Sequence, residues 1–137
     1  MGIKITPADS AFSKCVRERA GWKCEVCGTQ YTPSDTGLHC SHFHGRGNWS
    51  VRFDTDNAEA ACYGCHAKLE GDPHGFTERW KDKLGPYRYH ALLERKNDIS
   101  RGREARRTKG KGDIAKHYRD ELKRMQETGD REFSGWM

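Results

Sequence analysis

The chain has 137 residues, a third of them charged, with a formal net charge of +5 and a mean hydropathy of -1.05. Such a chain buries too little apolar surface to fold on hydrophobicity alone and has no apolar run able to span a membrane, so one small domain held by a staple is expected. The basic balance favours a polyanionic partner.

Residues 1–9 read as an irregular lead-in, with Pro7 and Asp9 or Ser10 as helix-start signals. Ser10 to Ala20 then reads as a helix with Phe12, Cys15, Val16 and Arg19 on one side, stopped by Gly21. Trp22-Lys23-Cys24-Glu25-Val26-Cys27-Gly28 is a Cys-x-x-Cys knuckle, with Trp22 expected to pack over it. Thr29 to Gly37 reads as a polar loop and Leu38 to His44 as a first strand. If that strand is extended, Cys40, His42 and His44 share one face, and His39, Ser41 and Phe43 share the other.

Gly45-Arg46-Gly47-Asn48 is turn material, Trp49 to Phe53 reads as a second short strand, and Asp54 to Asn57 is a polar turn. Ala58 to Ala61 leads into the second knuckle, Cys62-Tyr63-Gly64-Cys65, followed at once by His66 and a helix through about Leu69. Gly71 to Gly75 breaks that helix. Phe76 to Leu84 and Tyr87 to Lys96 form two helical segments parted by Gly85-Pro86, with Phe76, Trp80 and Leu84 at core spacing.

Arg101, Arg103, Arg106, Arg107, Lys109 and Lys111 crowd one stretch with a single acid, Glu104; it is either a solvated linker or a phosphate-contacting arm. Asp113 to Thr128 reads as a helix whose thin stripe of Ile114, Tyr118, Leu122 and Met125 must dock on the domain or on a second chain, as in a homodimer. The expected organisation is therefore α+β: a core over residues 1–97, a basic linker or arm over 98–112, and a C-terminal helix and tail over 113–137.

Four of the six cysteines, Cys24, Cys27, Cys62 and Cys65, form the two knuckles and predict one tetrahedral structural zinc site. Disulfides are the alternative, but no apolar signal region opens the chain, and in a reducing cytoplasm zinc outranks them. Cys15 and Cys40 are expected to be buried thiols, with a soft-metal role left open for Cys40.

Phosphodiester hydrolysis needs an activated water, an electrophile on a non-bridging oxygen and help for the departing oxygen. A neutral histidine can take the proton near pH 7. His42 is the candidate base, His66 the candidate ligand of a divalent ion, Asn57 a residue that fixes the connection or orients the base, and Arg46 and Arg52 candidate phosphate contacts.

The order Cys-x-x-Cys, His39-Cys40-Ser41-His42, Asn57, Cys-x-x-Cys-His66 resembles the HNH (ββα-metal) nucleases with a zinc-stabilised core. The stretches Trp22 to Gly28, His39 to Phe43, Arg46-Gly47-Asn48, Val51-Arg52-Phe53-Asp54-x-Asp56-Asn57 and Cys62 to Cys65 are similar to those of the phage NinG/Rap recombination endonucleases, over roughly residues 10 to 97. The site spacing also resembles endonuclease VII, a resolvase of branched DNA. The resemblance implies a ββα-metal core, structural zinc, catalytic Mg2+ or Mn2+, and cleavage of DNA in phage recombination, within a host-cell cytoplasm. One departure stands out: where many HNH enzymes place an Asp ligand before the base, this chain has Ser41, a poor ligand for a hard ion. The ion would then rest on His44 or His39 with His66, or on a water held by Ser41, and so histidine-rich a site also suits a transition metal. A non-catalytic zinc module that binds DNA, and a general nicking nuclease without junction preference, are the alternatives.

Overall fold

A computed structural model describes residues 3–137. The order is α1 (Pro7–Arg19), β1 (Leu38–His42), β2 (Ala58–Cys62), α2 (Tyr63–Glu70), α3 (Pro73–Lys96), α4 (Ile99–Arg106) and α5 (Thr108–Thr128).

Helix α1 starts earlier than Ser10 because Thr6 and Asp9 close a capping box: the Thr6 hydroxyl accepts from Asp9 N–H at 3.3 Å, and the Asp9 carboxylate accepts from Thr6 N–H at 2.8 Å. Pro7 suits this first turn, where its missing N–H has no partner to lose. Gly21 ends the helix at φ +66°, a region open to glycine. In α3 the break falls where expected, at Gly85 (φ 78°, ψ 164°) before Pro86, so two helical arms meet at a kink.

β1 and β2 pair antiparallel, Leu38 opposite Cys62 and His42 opposite Ala58. The second strand is therefore Ala58–Cys62 and not Trp49–Phe53. Residues 48 to 57 instead fold as successive turns, with Val51 N–H bonding Asn48 O, Asp54 N–H bonding Val51 O and Asn57 N–H bonding Asp54 O. The alternation of Trp49, Val51 and Phe53 misleads because these side chains feed two different clusters: Trp49 and Phe53 join the one around Phe12, whereas Val51 joins the one around Trp80.

Each sheet face has its own cover. On one, Cys40 and Ala58 pack with Phe12, Cys15 and Val16 of α1 and with Ile114, Tyr118 and Met125 of α5. On the other, Glu59 is fully buried and held by Arg79 of α3 at 2.6 and 2.9 Å, with Lys83 at 3.6 Å. A buried carboxylate is tolerated only with such partners. The apolar stripe of α5 docks on the chain's own domain: Tyr118 donates from its hydroxyl to Phe53 O at 2.6 Å, and the Cys15 thiol donates to Tyr118 O at 3.2 Å.

The basic stretch is helical apart from Arg107, whose extended backbone (φ -65°, ψ 146°) parts α4 from the first turns of α5, which begins at Thr108 rather than Asp113. Gly110 sits where α5 crosses α4, and any Cβ there would collide with the Glu104 carbonyl. No helix among the described residues is long and apolar enough to cross a membrane.

Candidate active site

Cys24, Cys27, Cys62 and Cys65 bring their sulfurs within 4.8 Å of one another, which makes a cluster able to hold a metal ion. Cys27 and Cys62 Sγ lie 3.9 Å apart. Tetrahedral bonds of about 2.3 Å, the zinc–thiolate value, would set sulfurs about 3.8 Å apart, so the donors fit. Backbone N–H groups of Cys62 (3.3 Å) and Cys27 (3.5 Å) point at Cys24 Sγ. The Thr29 hydroxyl lies 3.2 Å from Cys27 Sγ and, as the leading cause, draws that thiol down to about 6. Leu38, Ala60 and Ala61 back the cluster, and Trp22 packs against it as expected. Cys15 and Cys40 are buried apart from it, and burial pushes both thiols up to about 12.

A groove of about 490 Å³ passes β1, lined by Arg17 of α1, His39 and Cys40 of β1, Arg46 of the following loop and His66 of α2. His39 and Cys40 reach the groove from opposite faces of β1, and Ser41 and His42 do not line it. From one face Ser41 reaches α2, its Oγ 2.9 Å from His66 Nδ1. On the other, His42 lies against Phe12, ring centroids 5.9 Å apart.

The Nε2 atom of His42 is 2.9 Å from Arg52 O. A carbonyl can only accept, so Nε2 carries the proton and Nδ1 is left with a lone pair. Burial first, then the positive charge of Arg46, lowers its pKa to about 4, so the ring is neutral at pH 7.

Asn57 is fully buried and touches only backbone: its Oδ1 accepts from His44 N–H, and its Nδ2 donates to His44 O and Val51 O. These bonds fix the connection that carries Arg46. His44 is half-buried, and burial with the nearby Lys96 charge lowers it to about 4. His39 and His66 face each other, ring centroids 6.1 Å apart, and the exposed Tyr63 packs edge-on to His39. Among the described residues the four cysteines are the one group of three or more such ligands close enough to share an ion, so His39, His44 and His66 do not come together as a ready cage.

Arg52 is not available to a phosphate. It is 1% exposed, donates to both Asp9 oxygens at 2.9 and 2.7 Å and lies under Trp49. Arg46 is freer, its side chain 32% exposed, although its Nε is buried without a hydrogen-bond partner and lies 3.9 Å from Asp9. Arg101 is partly buried beside Asp54, at 3.6 Å, and Lys111 is partly buried over Trp49. Arg103, Arg106, Arg107 and Lys109 are exposed, and the three arginines line a second cleft of about 760 Å³ with Lys96.

Arg17 of the groove, and Glu70 beside His66, escaped the sequence reading. Arg17 stands in α1 with no motif around it to mark it. Glu70, whose Oε1 lies 3.1 Å from His66 Nε2, was signalled only by its place four residues beyond His66 on one helix. No protein-family model, curated protein or solved structure matches the chain, so the functional reading rests on these residues themselves.

Proposed function

We propose that the chain is a metal-dependent DNA endonuclease that hydrolyses phosphodiester bonds, acting on branched DNA in phage recombination. The observation that carries this reading is the fixed tautomer of His42. Nε2–H is tied to Arg52 O, so Nδ1 is the atom that can take a proton from water, and the depressed pKa keeps the ring in its basic form. Arg17 and Arg46, which line the groove beside this strand, supply positive charge for the phosphate. Asn57 holds the His44–Val51 loop so that Arg46 stays in place.

Zinc on the four cysteines serves structure, clamping the β1–β2–α2 unit to the N-terminal segment. A divalent ion, Mg2+ or Mn2+, held through His66, would polarise the phosphate and ease departure of the 3′ oxygen. The exposed arginines of α4 extend the cationic surface along a second stretch of backbone.

The test is incubation of the zinc-loaded protein with four-way junction, flap, duplex and single-stranded DNA in Mg2+, Mn2+ or EDTA. Metal-dependent cutting with preference for the junction is expected. Equal cutting of all forms would favour a general nicking enzyme. A second reading, a non-catalytic zinc module that binds DNA, is favoured by one observation: Ser41 is fully buried and spends its hydroxyl on His66. Binding without cutting under every ion would establish that reading instead.

A further inference from the structure

Glu70 is the last residue of α2, and its place there is poorly explained by helix stability. A carboxylate at a helix C-terminus opposes the macrodipole. A basic residue four positions before an acid is also the weaker order for such a pair. Yet its Oε1 lies 3.1 Å from His66 Nε2, while the other ring nitrogen of His66 is 2.9 Å from Ser41 Oγ.

We propose that His66 Nε2 and Glu70 Oε1 together form the divalent-cation site, with Ser41 acting behind His66 instead of touching the ion. This rests on the nuclease reading and names the ligands it left open. Two ligands at about 2.1 Å on adjacent corners of an octahedron are about 3.0 Å apart, the separation found here. With its proton on Nδ1, His66 donates to Ser41 Oγ and turns the Nε2 lone pair toward the carboxylate. Without a cation the ring can carry its proton on Nε2, donating to Glu70 while the Ser41 hydroxyl donates to Nδ1; a cation selects the Nδ1–H form, whose Nε2 lone pair it takes together with the carboxylate. An outer acceptor of this kind fixes the tautomer and orientation of a metal-binding histidine. The substitution of Ser41 for a ligand-type carboxylate is then compensated by Glu70, which supplies the hard oxygen from the helix instead of the strand. Two protein ligands leave corners for water and a phosphate oxygen, as hard divalent ions at phosphate sites commonly keep.

The test is titration of Mn2+ into the zinc-loaded full-length protein without DNA, following the free-ion signal by electron paramagnetic resonance. One Mn2+ per chain is expected in the wild type. Glu70→Gln should weaken binding at least about tenfold, Ser41→Ala several-fold, and Glu70→Asp should recover part of the loss. Glu70 is 63% exposed at its side chain, so the variants should fold, which circular dichroism checks. No Mn2+ binding by the wild type, or equal binding by Glu70→Gln, overturns the site. If Glu70→Gln binds as wild type and the wild type still cuts DNA, the nuclease reading survives and this assignment fails. If the Mn2+ site behaves as described and no DNA is cut, the site stands and the nuclease reading fails.

Discussion

Asn57 clasps the backbone of His44 from both sides, accepting from its N–H at 2.8 Å and donating to its carbonyl at 2.9 Å. The amide copies the pairing that a neighbouring strand would give, at the point where β1 ends and the Arg46 loop begins. Asn57→Ala leaves buried backbone groups of His44 and Val51 without partners and should cost about 2–4 kcal/mol of stability. Asn57→Asp should fare no better, because a carboxylate would face two carbonyl oxygens. Urea midpoints for the three proteins check this, and an unchanged midpoint for Asn57→Ala contradicts the role.

The cysteine cluster predicts about one tightly held zinc per chain. Cys65→Ser, or extraction of the metal by a strong chelator, should largely unfold the protein, since so polar a chain has little else to close the knuckles. Elemental analysis together with circular dichroism reads both. Absence of zinc with a disulfide in either knuckle would be the opposite result.

Acid should destabilise the fold through its buried histidines. The His42 pKa is lowered from 6.5 to about 4, so as pH falls the unfolded chain takes up its proton first. The contribution is fully present above about pH 6.5 and is lost progressively between there and pH 4. At pH 5 the loss from His42 is roughly 2 kcal/mol, and His44 adds in the same direction. Urea midpoints at pH 7 and pH 5 should therefore differ more for the wild type than for His42→Gln or His44→Gln. Equal differences would show that neither ring is buried neutral.

The basic residues divide into two classes that the same substitutions separate. Neutralising Arg103, Arg106, Arg107 and Lys109 should leave the melting temperature nearly unchanged. It should weaken DNA binding and flatten the salt dependence by up to about 0.9 in slope for each phosphate that is no longer neutralised. Arg52→Ala should instead cost about 3–5 kcal/mol, because it strands the buried Asp9 carboxylate. Thermal melts paired with fluorescence anisotropy at several salt concentrations distinguish the two.

What the sequence revealed depended on how local its cause was. The knuckles, α1, α2 and the Gly85-Pro86 break were legible because cysteine spacing, capping residues and helix breakers act over a few positions. β2 was hidden: Ala58, Ala60 and Ala61 are small because the strand is covered on both faces, and its one large side chain, Glu59, looks like a surface residue until Arg79 and Lys83 are in place. The start of α5 was hidden for the same kind of reason, since Gly110 is unfavourable in an isolated helix and is required only by the close approach of α4. Of the candidate site, the cysteine cluster was readable from order along the chain, and so was the placing of His42 on β1, Asn57 just before β2 and His66 on α2. The burial of Arg52 was not, because it arises from packing between elements, and the approach of Glu70 to His66 carried only the signal of i,i+4 spacing on one helix.

In the proposed reaction His42 Nδ1 takes a proton from water while other groups bind the DNA. Single-turnover cleavage of a four-way junction by His42→Ala, measured beside its binding affinity in EDTA, tests this most directly. Cleavage should fall by about 10²–10⁴-fold, the usual worth of a general base, with affinity within a few-fold of wild type. Cleavage by His42→Ala at the wild-type rate would contradict the account.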